Sequence, residues 1–210
     1  MAKQKEGVYE KIIDCAKKEF LKKGFKDASL RVIAKNAQTS TSSIYTRFND
    51  KEGLFDAIVQ PVISGFENYF TKQQEVFHKI DVTKQDEIRN DFAGDCFDEM
   101  LDYIYDHFDE FTLLLKCSYG TKAADFIERL VDVEVEYTIK FIEAIGNDAI
   151  EKGRASQPFL HIVTKAYFTG FFEIVLQGME KKDAIQYLQQ LRNFYNAGHE
   201  TIYHPEKIEF

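Results

Sequence analysis

Apolar residues recur at spacings of three and four along almost the whole chain, and no stretch shows the strict alternation of a half-buried strand. Ile12, Ile13, Ala16 and Phe20 make the first helical stripe, and Gly24 predicts its end. Ser29 is placed to cap a short second helix carrying Ile33, Ala34 and Ala37. Ser40 is placed to cap a third, carrying Ile44 and Phe48. Asp50 opens a fourth through Leu54, Phe55 and Ile58, where Pro61 predicts a bend or break before Phe66, Tyr69 and Phe70 resume the pattern. After a polar stretch from about His78 to Asp86, Phe92, Cys96, Phe97, Met100, Leu101 and Ile104 predict a fifth helix. Asp109 is placed to cap a short helix holding Phe111 and the leucines 113–115, and Gly120-Thr121 predicts a turn. Phe126, Leu130, Val133, Tyr137, Phe141 and Ile145 predict a long helix ending near Gly153. Ser156 and Pro158 open another, running to about Gly178. A last helix from near Asp183 carries Ile185, Leu188, Leu191, Tyr195 and Ile202. The fold class is all-α, with about nine helices and no internal repeat.

The second and third helices are short and joined by a tight polar turn, Asn36-Ala37-Gln38-Thr39. Backed by the first helix, they form a helix-turn-helix unit. At 100° per residue, Ile44 and Phe48 share the inward face of the third helix, which leaves Ser42, Ser43, Tyr45, Thr46 and Asn49 opposite. That outer face is small, polar and rich in hydroxyls. A solvated helix carries Lys, Glu and Gln there instead. A face of this kind fits a major groove and reaches both phosphates and base edges.

Composition narrows the classes. The chain has 210 residues, 44% hydrophobic and 30% charged, with a net charge of −8. These values fit one medium domain or two small ones and exclude disordered, collagen-like and disulfide-scaffold chains. Charge is split along the chain. Residues 1–55 hold twelve Lys/Arg against seven Asp/Glu, and the remainder fifteen against twenty-eight. A basic head on an acidic body suits a protein that meets phosphate at one end only. No apolar run reaches the roughly 18 residues of a membrane span, and MAKQKEGVYEK lacks the apolar core of a secretory signal, so the expected setting is soluble and cytoplasmic. Cys15, Cys96 and Cys117 are far apart in apolar company and read as small buried hydrophobes. The five histidines form no metal-ligand spacing, and no phosphate loop, dinucleotide fingerprint or nucleophile elbow occurs. No cofactor, metal site or catalytic residue is assigned.

Residues 12–55 read IIDCAKKEFLKKGFKDASLRVIAKNAQTSTSSIYTRFNDKEGLF. Ala16, Phe20, Gly24, Ser29, Ile33-Ala34, Ala37, Ser40, Ile44-Tyr45, Phe48 and Lys51-Glu52-Gly53-Leu54 stand at spacings that resemble the DNA-binding head of the tetracycline-repressor (TetR) family. The resemblance implies a DNA-binding domain over 1–55 and an effector-binding and dimerisation domain over 56–210. It implies phosphate contacts from Ser29, Tyr45 and Lys51, a base contact from Arg31, and groove-facing Thr41, Ser42 and Thr46. Thr39, Ser40, Ser43 and Arg47 complete the candidate set. Three positions depart from the family pattern. Gln38 stands where a turn glycine is usual, Ser42 where the recognition helix has a glycine, and Arg47 where His or Tyr precedes Phe48.

The resemblance further implies double-stranded operator DNA, a small-molecule effector and a second copy of the chain as partners, with no membrane. The expected activity is that of a transcription regulator, a repressor released by its effector, and not an enzyme. Phe66, Tyr69, Phe70, Phe97, Met100, Ile104, Tyr119, Phe126, Tyr137, Tyr167 and Phe171 are candidate pocket linings, with Cys96, Tyr119 and Tyr167 as polar points. Residues 159–178 are apolar over more than half the helix circumference, which predicts burial both in the protomer's own core and against a partner. Phe168, Gly170, Phe172, Val175, Leu188, Leu191 and Tyr195 are the candidate dimer interface. A deeply buried core helix in a monomer is the alternative. Two other functions stay open: an effector-free architectural or protein-recruiting DNA binder, and a small-molecule-binding protein or enzyme whose head has lost DNA binding.

Overall fold

A computed structural model describes residues 7–207. The charged N-terminal segment before Gly7, and the last three residues, lie outside the described residues. Nine α-helices and no strand occur among those described: α1 (Val8–Asp27), α2 (Leu30–Asn36), α3 (Thr41–Phe48), α4 (Lys51–His78), α5 (Val82–Asp106), α6 (Phe108–Thr112), α7 (Phe126–Ala144), α8 (Gln157–Leu176) and α9 (Lys181–Tyr203). A wider π-helical turn, Leu113–Cys117, continues α6.

The chain divides into two compact units. The first takes the residues up to Gly65 together with Asp106–Asp125; the second takes Phe66–Tyr105 and the chain from Phe126 onward. The boundary expected at residue 55 falls inside α4, whose first half belongs to the head unit.

In the head unit, Ile12, Ala16 and Phe20 of α1 pack on Ile33 of α2, Ile44 of α3 and Phe55 of α4, all fully buried. Phe20 and Phe25 each meet the Phe55 ring edge-on, at 5.2 and 5.3 Å. Edge-to-face aromatic pairs of this kind add about 1 kcal/mol beyond their area. α6 and its π-helical turn pack on α1, where Lys17 pairs with Glu110. Gly24 interrupts α1 with φ 73°, ψ 168°. Pro61 does not end α4. It lies on the exposed side of an uninterrupted helix, where its missing N–H leaves a single carbonyl for water to satisfy.

In the second unit, Phe66, Phe126 and Phe172 cluster with ring centroids 5.5 to 6.0 Å apart. α7 and α8 share the most extensive packing, tied at one end by His161 and Lys165 reaching Glu128 at 2.9 and 2.7 Å. α8 alone among the described helices is long and apolar enough to cross a membrane. Leu160, Phe168, Phe171, Phe172, Ile174 and Val175 are its buried residues and fill the core of this unit. Ser156 caps α8 by accepting from the Phe159 N–H, as the sequence predicts. α7 stops at Ala144, well short of Gly153. Gly146 (φ 66°) turns the chain, and Arg154 and Asn147 anchor the following segment by donating to the Ile202 and Tyr203 carbonyls. α5 begins ten residues before Phe92, and Asp109 lies inside α6 rather than at its cap. The three cysteines are free and half-buried.

Candidate nucleic-acid interface and cavity

The helix-turn-helix is built by its backbone. α2 ends in a Schellman turn: Thr39 N–H donates to the Ala34 carbonyl at 2.9 Å and Gln38 N–H to Lys35 at 3.2 Å. This turn needs a left-handed residue, and Gln38 supplies it with φ 54°. The departure from glycine at this position is therefore accommodated with strain. Ser40 caps α3, its hydroxyl accepting from Ser43 N–H at 3.1 Å. At the far end Asn49 (φ 71°, ψ −52°) centres a γ-turn in which Asp50 N–H donates to the Phe48 carbonyl at 2.8 Å. That carbonyl points into the first turn of α4. A Cβ on Gly53 would lie 2.0 Å from its oxygen, so glycine is required there.

α3 presents the expected faces. Ile44 and Phe48 are buried, whereas Ser42, Tyr45, Thr46 and Arg47 are exposed, Tyr45 at 53%. The Thr46 hydroxyl donates to Ser42 O at 2.8 Å, and Arg47 folds back on Ser43 O at 3.2 Å. Both side chains keep acceptor or donor capacity facing outward. Thr41 and Ser43 are half-buried at the start of α3, and Thr39 is half-buried in the turn. Ser29 occupies the cap position of α2, yet its hydroxyl makes no cap bond; its N–H donates to Glu19. The hydroxyl remains available to a phosphate. Arg31 is exposed, and among the described residues no ion pair on its own helix engages it. Lys51 does internal work: its ammonium donates to the Lys26 and Ala28 carbonyls at 2.9 and 3.3 Å and lies 5.0 Å above the Phe25 ring. It holds the α1–α2 corner in place.

The second unit contains a partly open cavity of about 210 Å³ bounded by α4, α5, α7, α8 and α9. Tyr69, Phe70, Phe97, Met100, Tyr137, Tyr167 and Phe171 line it, as does Cys96. Phe66, Ile104 and Phe126 are packed in the core outside that lining, and Tyr119 is 91% exposed in the other unit. The wall also carries charged residues that the sequence reading does not place there. Glu134 of α7 enters it, with Oε2 accepting from Gln74 Nε2 at 2.6 Å, and burial pushes its carboxyl up to about 7. Arg89 pairs with Glu200 at 2.7 Å and stacks 4.6 Å from the Tyr203 ring. His199 is held neutral by burial, with Arg89 adding to the effect, down to about 4. Burial also raises the Tyr167 phenol.

The candidate dimer residues need correction. Phe168, Phe172, Val175 and Leu188 are buried inside the protomer, so none is free to meet a partner. Gly170 serves the α8–α9 contact within one chain: its carbonyl accepts from the Tyr187 hydroxyl at 2.8 Å, and Leu191 packs against it. Tyr195 packs on Tyr167 at 5.0 Å. The exposed apolar residues on these helices are others, foremost Ile162 (68%) and Phe194 (75%), with Phe159 at the start of α8.

Residues 12–58 match the family model of bacterial regulatory proteins, tetR family. The match spans α1 to α3 and the start of α4. The chain as a whole has the fold of TetR-family regulators. It is similar to the TetR family transcriptional regulator PfmR from Thermus thermophilus, at 16% identity and TM-score 0.56, covering 91% of this chain and 96% of that one. It is also similar to a TetR-family regulator structure from Mesorhizobium loti MAFF303099, at 14% identity and TM-score 0.57, covering 93% and 98%. SCO3833 of Streptomyces coelicolor A3 gives 16% identity and TM-score 0.53, covering 97% and 92%. No curated protein sequence matches the chain.

The helix-turn-helix head is readable because its residues are local in sequence. The charged cavity wall is not, although a signal exists. Glu134 lies four residues after Leu130 and three before Tyr137, on the inward stripe of α7, where a carboxylate is out of place.

Proposed function

We propose that the chain is a homodimeric transcription regulator that binds operator DNA through α2 and α3 and is released by a small molecule held in the cavity. The observation that carries the reading is α3 itself. It exposes hydroxyls, one phenol and one arginine on its outer face, and buries Ile44 and Phe48 on the other. The tetR-family match over the same residues supports it. Tyr45 and Ser29 supply hydroxyls to phosphates, Arg31 offers a forked donor to a base edge, and Ser42 and Thr46 line the groove face. Lys51 contributes by fixing the corner that carries Ser29, with phosphate contact a second duty.

Two heads must be spaced to meet successive major grooves, which calls for a dimer. Ile162 of α8 and Phe194 of α9 mark its face. A cytoplasmic setting follows from the function. Effector and DNA act through one equilibrium, so each must weaken the other by the same factor.

Fluorescence anisotropy on a mixed-sequence duplex, titrated at several salt concentrations, tests the head. The expected result is binding that weakens steeply with salt, further weakened on every sequence by Tyr45→Phe. Arg31→Ala should cost about 1–3 kcal/mol on a preferred site and relax one base position. Salt-independent binding, or binding untouched by both substitutions, refutes the reading.

A further inference from the structure

We infer that the cavity takes an organic monocation, an aromatic or apolar amine, with the Glu134 carboxylate as its counter-ion. The inference rests on the effector reading and assigns the ligand class. Among the described residues, Glu134 receives a single hydrogen bond, from Gln74 to Oε2; Oε1 has no hydrogen-bond partner, and no cation pairs with the carboxylate. Glu134 is half-buried on the cavity wall, and a carboxylate drawn out of water favours a proton or a positive partner. The described residues supply no positive partner, and burial already holds the group near the pH at which it ionises.

The rest of the wall fits a cation. Tyr137, Tyr167 and Tyr195 line it with aromatic rings, which attract cations through their negative quadrupoles, and Lys140 already lies 4.4 Å from the Tyr137 ring. The Tyr167 hydroxyl makes no hydrogen bond among the described residues, yet its phenol senses the Glu134 charge, so the two groups are neighbours. It stands free to bond a ligand. Outside the cavity, a polar groove on the α5–α9 side carries Asp91, Asp95 and Asp98. Arg192 borders both spaces, packed against Gly94 so closely that a Cβ there would meet its guanidinium at 2.6 Å. The three carboxylates make that groove unfavourable for an anion and favourable for a cation. Of the two arginines on the wall, Arg89 is paired with Glu200 through one terminal nitrogen, its Nε left without a partner among the described residues, and Arg192 shares the outer groove with three aspartates.

The test uses three probes on one skeleton: 4-phenylbutylamine, 4-phenylbutanol and 4-phenylbutyrate. Binding to the full-length protein is followed at pH 7.5 by calorimetry. The amine, protonated at this pH, should bind at least about tenfold tighter than the alcohol, and the butyrate weakest. Glu134→Gln should abolish the preference for the amine while leaving the alcohol within about threefold, which also shows an intact cavity. Glu134→Asp should restore part of it. The inference is overturned if the butyrate binds tightest, if the amine holds no advantage, if Glu134→Gln keeps that advantage, or if none of the three binds at millimolar concentration. Anisotropy on DNA separates the two readings. An amine that binds with the expected preference but leaves DNA affinity unchanged sinks the effector reading and spares the site. A probe that releases DNA without charge preference does the reverse.

Discussion

Replacing Glu134 by Gln should stabilise the protein, and by an amount that grows with pH. The carboxyl has an ordinary value of 4.5 and is raised to about 7 in the fold. At 1.36 kcal/mol per pH unit, that gap costs the ionised folded state about 3 kcal/mol. The sign follows from proton binding. Between 4.5 and 7 the folded protein holds a proton that the unfolded chain has released, so stability falls as pH rises through this window and stays low above it. Glutamine has nearly the same shape, keeps the acceptor for Gln74, and ionises at no pH. His199 works in the opposite direction. Its folded value of about 4 against an ordinary 6.5 means that stability is lost as pH falls from 6.5 toward 4. The two slopes offset one another in the wild type between 4.5 and 6.5, so the variant-minus-wild-type difference is the quantity to measure. Urea unfolding followed by far-ultraviolet circular dichroism, at fixed protein concentration and at pH 5, 6, 7 and 8, gives it. The difference should be small at pH 5 and rise to about 2–3 kcal/mol in favour of Gln at pH 8. A difference that is flat across this range refutes a raised Glu134 carboxyl.

Other substitutions test other parts of the account. Gln38→Gly relieves a left-handed side-chain-bearing residue and should stabilise the head by about 0.5–1 kcal/mol after the extra chain entropy of glycine is deducted, read as a rise in Tm; a lower Tm means that the turn is unstrained. Gly53→Ala drives a Cβ into the Phe48 carbonyl oxygen and should cost about 3 kcal/mol or more, read by the same urea titration; a fully stable variant shows that the γ-turn geometry is wrong. Phe194→Asp changes a residue with little burial in the protomer, so it should leave the helical content intact and give a monomer by sedimentation. An undiminished dimer moves the interface off this face.

The helices are legible wherever an apolar stripe meets its own cap or stop, as at Ser40 before α3 and Ser156 before α8. Boundaries fail where tertiary contacts decide them. Residues 145–155 look helix-compatible, yet Gly146 and the Arg154 contacts with the end of α9 hold them in turns. The head is readable because Ile44, Phe48 and Tyr45 declare two faces within eight residues. The dimer face is not. A helix apolar nearly all round, such as α8, does not say which side belongs to its own core. Its pattern points Phe168 and Phe172 outward, where the fold turns them inward and leaves Ile162 exposed instead. Similarly, Glu134 is one of five carboxylates on α7, and only its place on the stripe of Leu130 and Tyr137 distinguishes it, a signal that the neighbouring helices make decisive.

The central claim is that α3 reads DNA as one of a symmetry-related pair. Selection of bound duplexes from a random pool, at one stated salt concentration and with protein refolded free of any co-purified small molecule, tests it most directly. The account predicts enrichment of a palindrome whose half-sites lie about one helical turn, or a multiple of it, apart, occupied by two chains or a multiple of two. Absence of enrichment, or a single half-site bound by one chain, contradicts it.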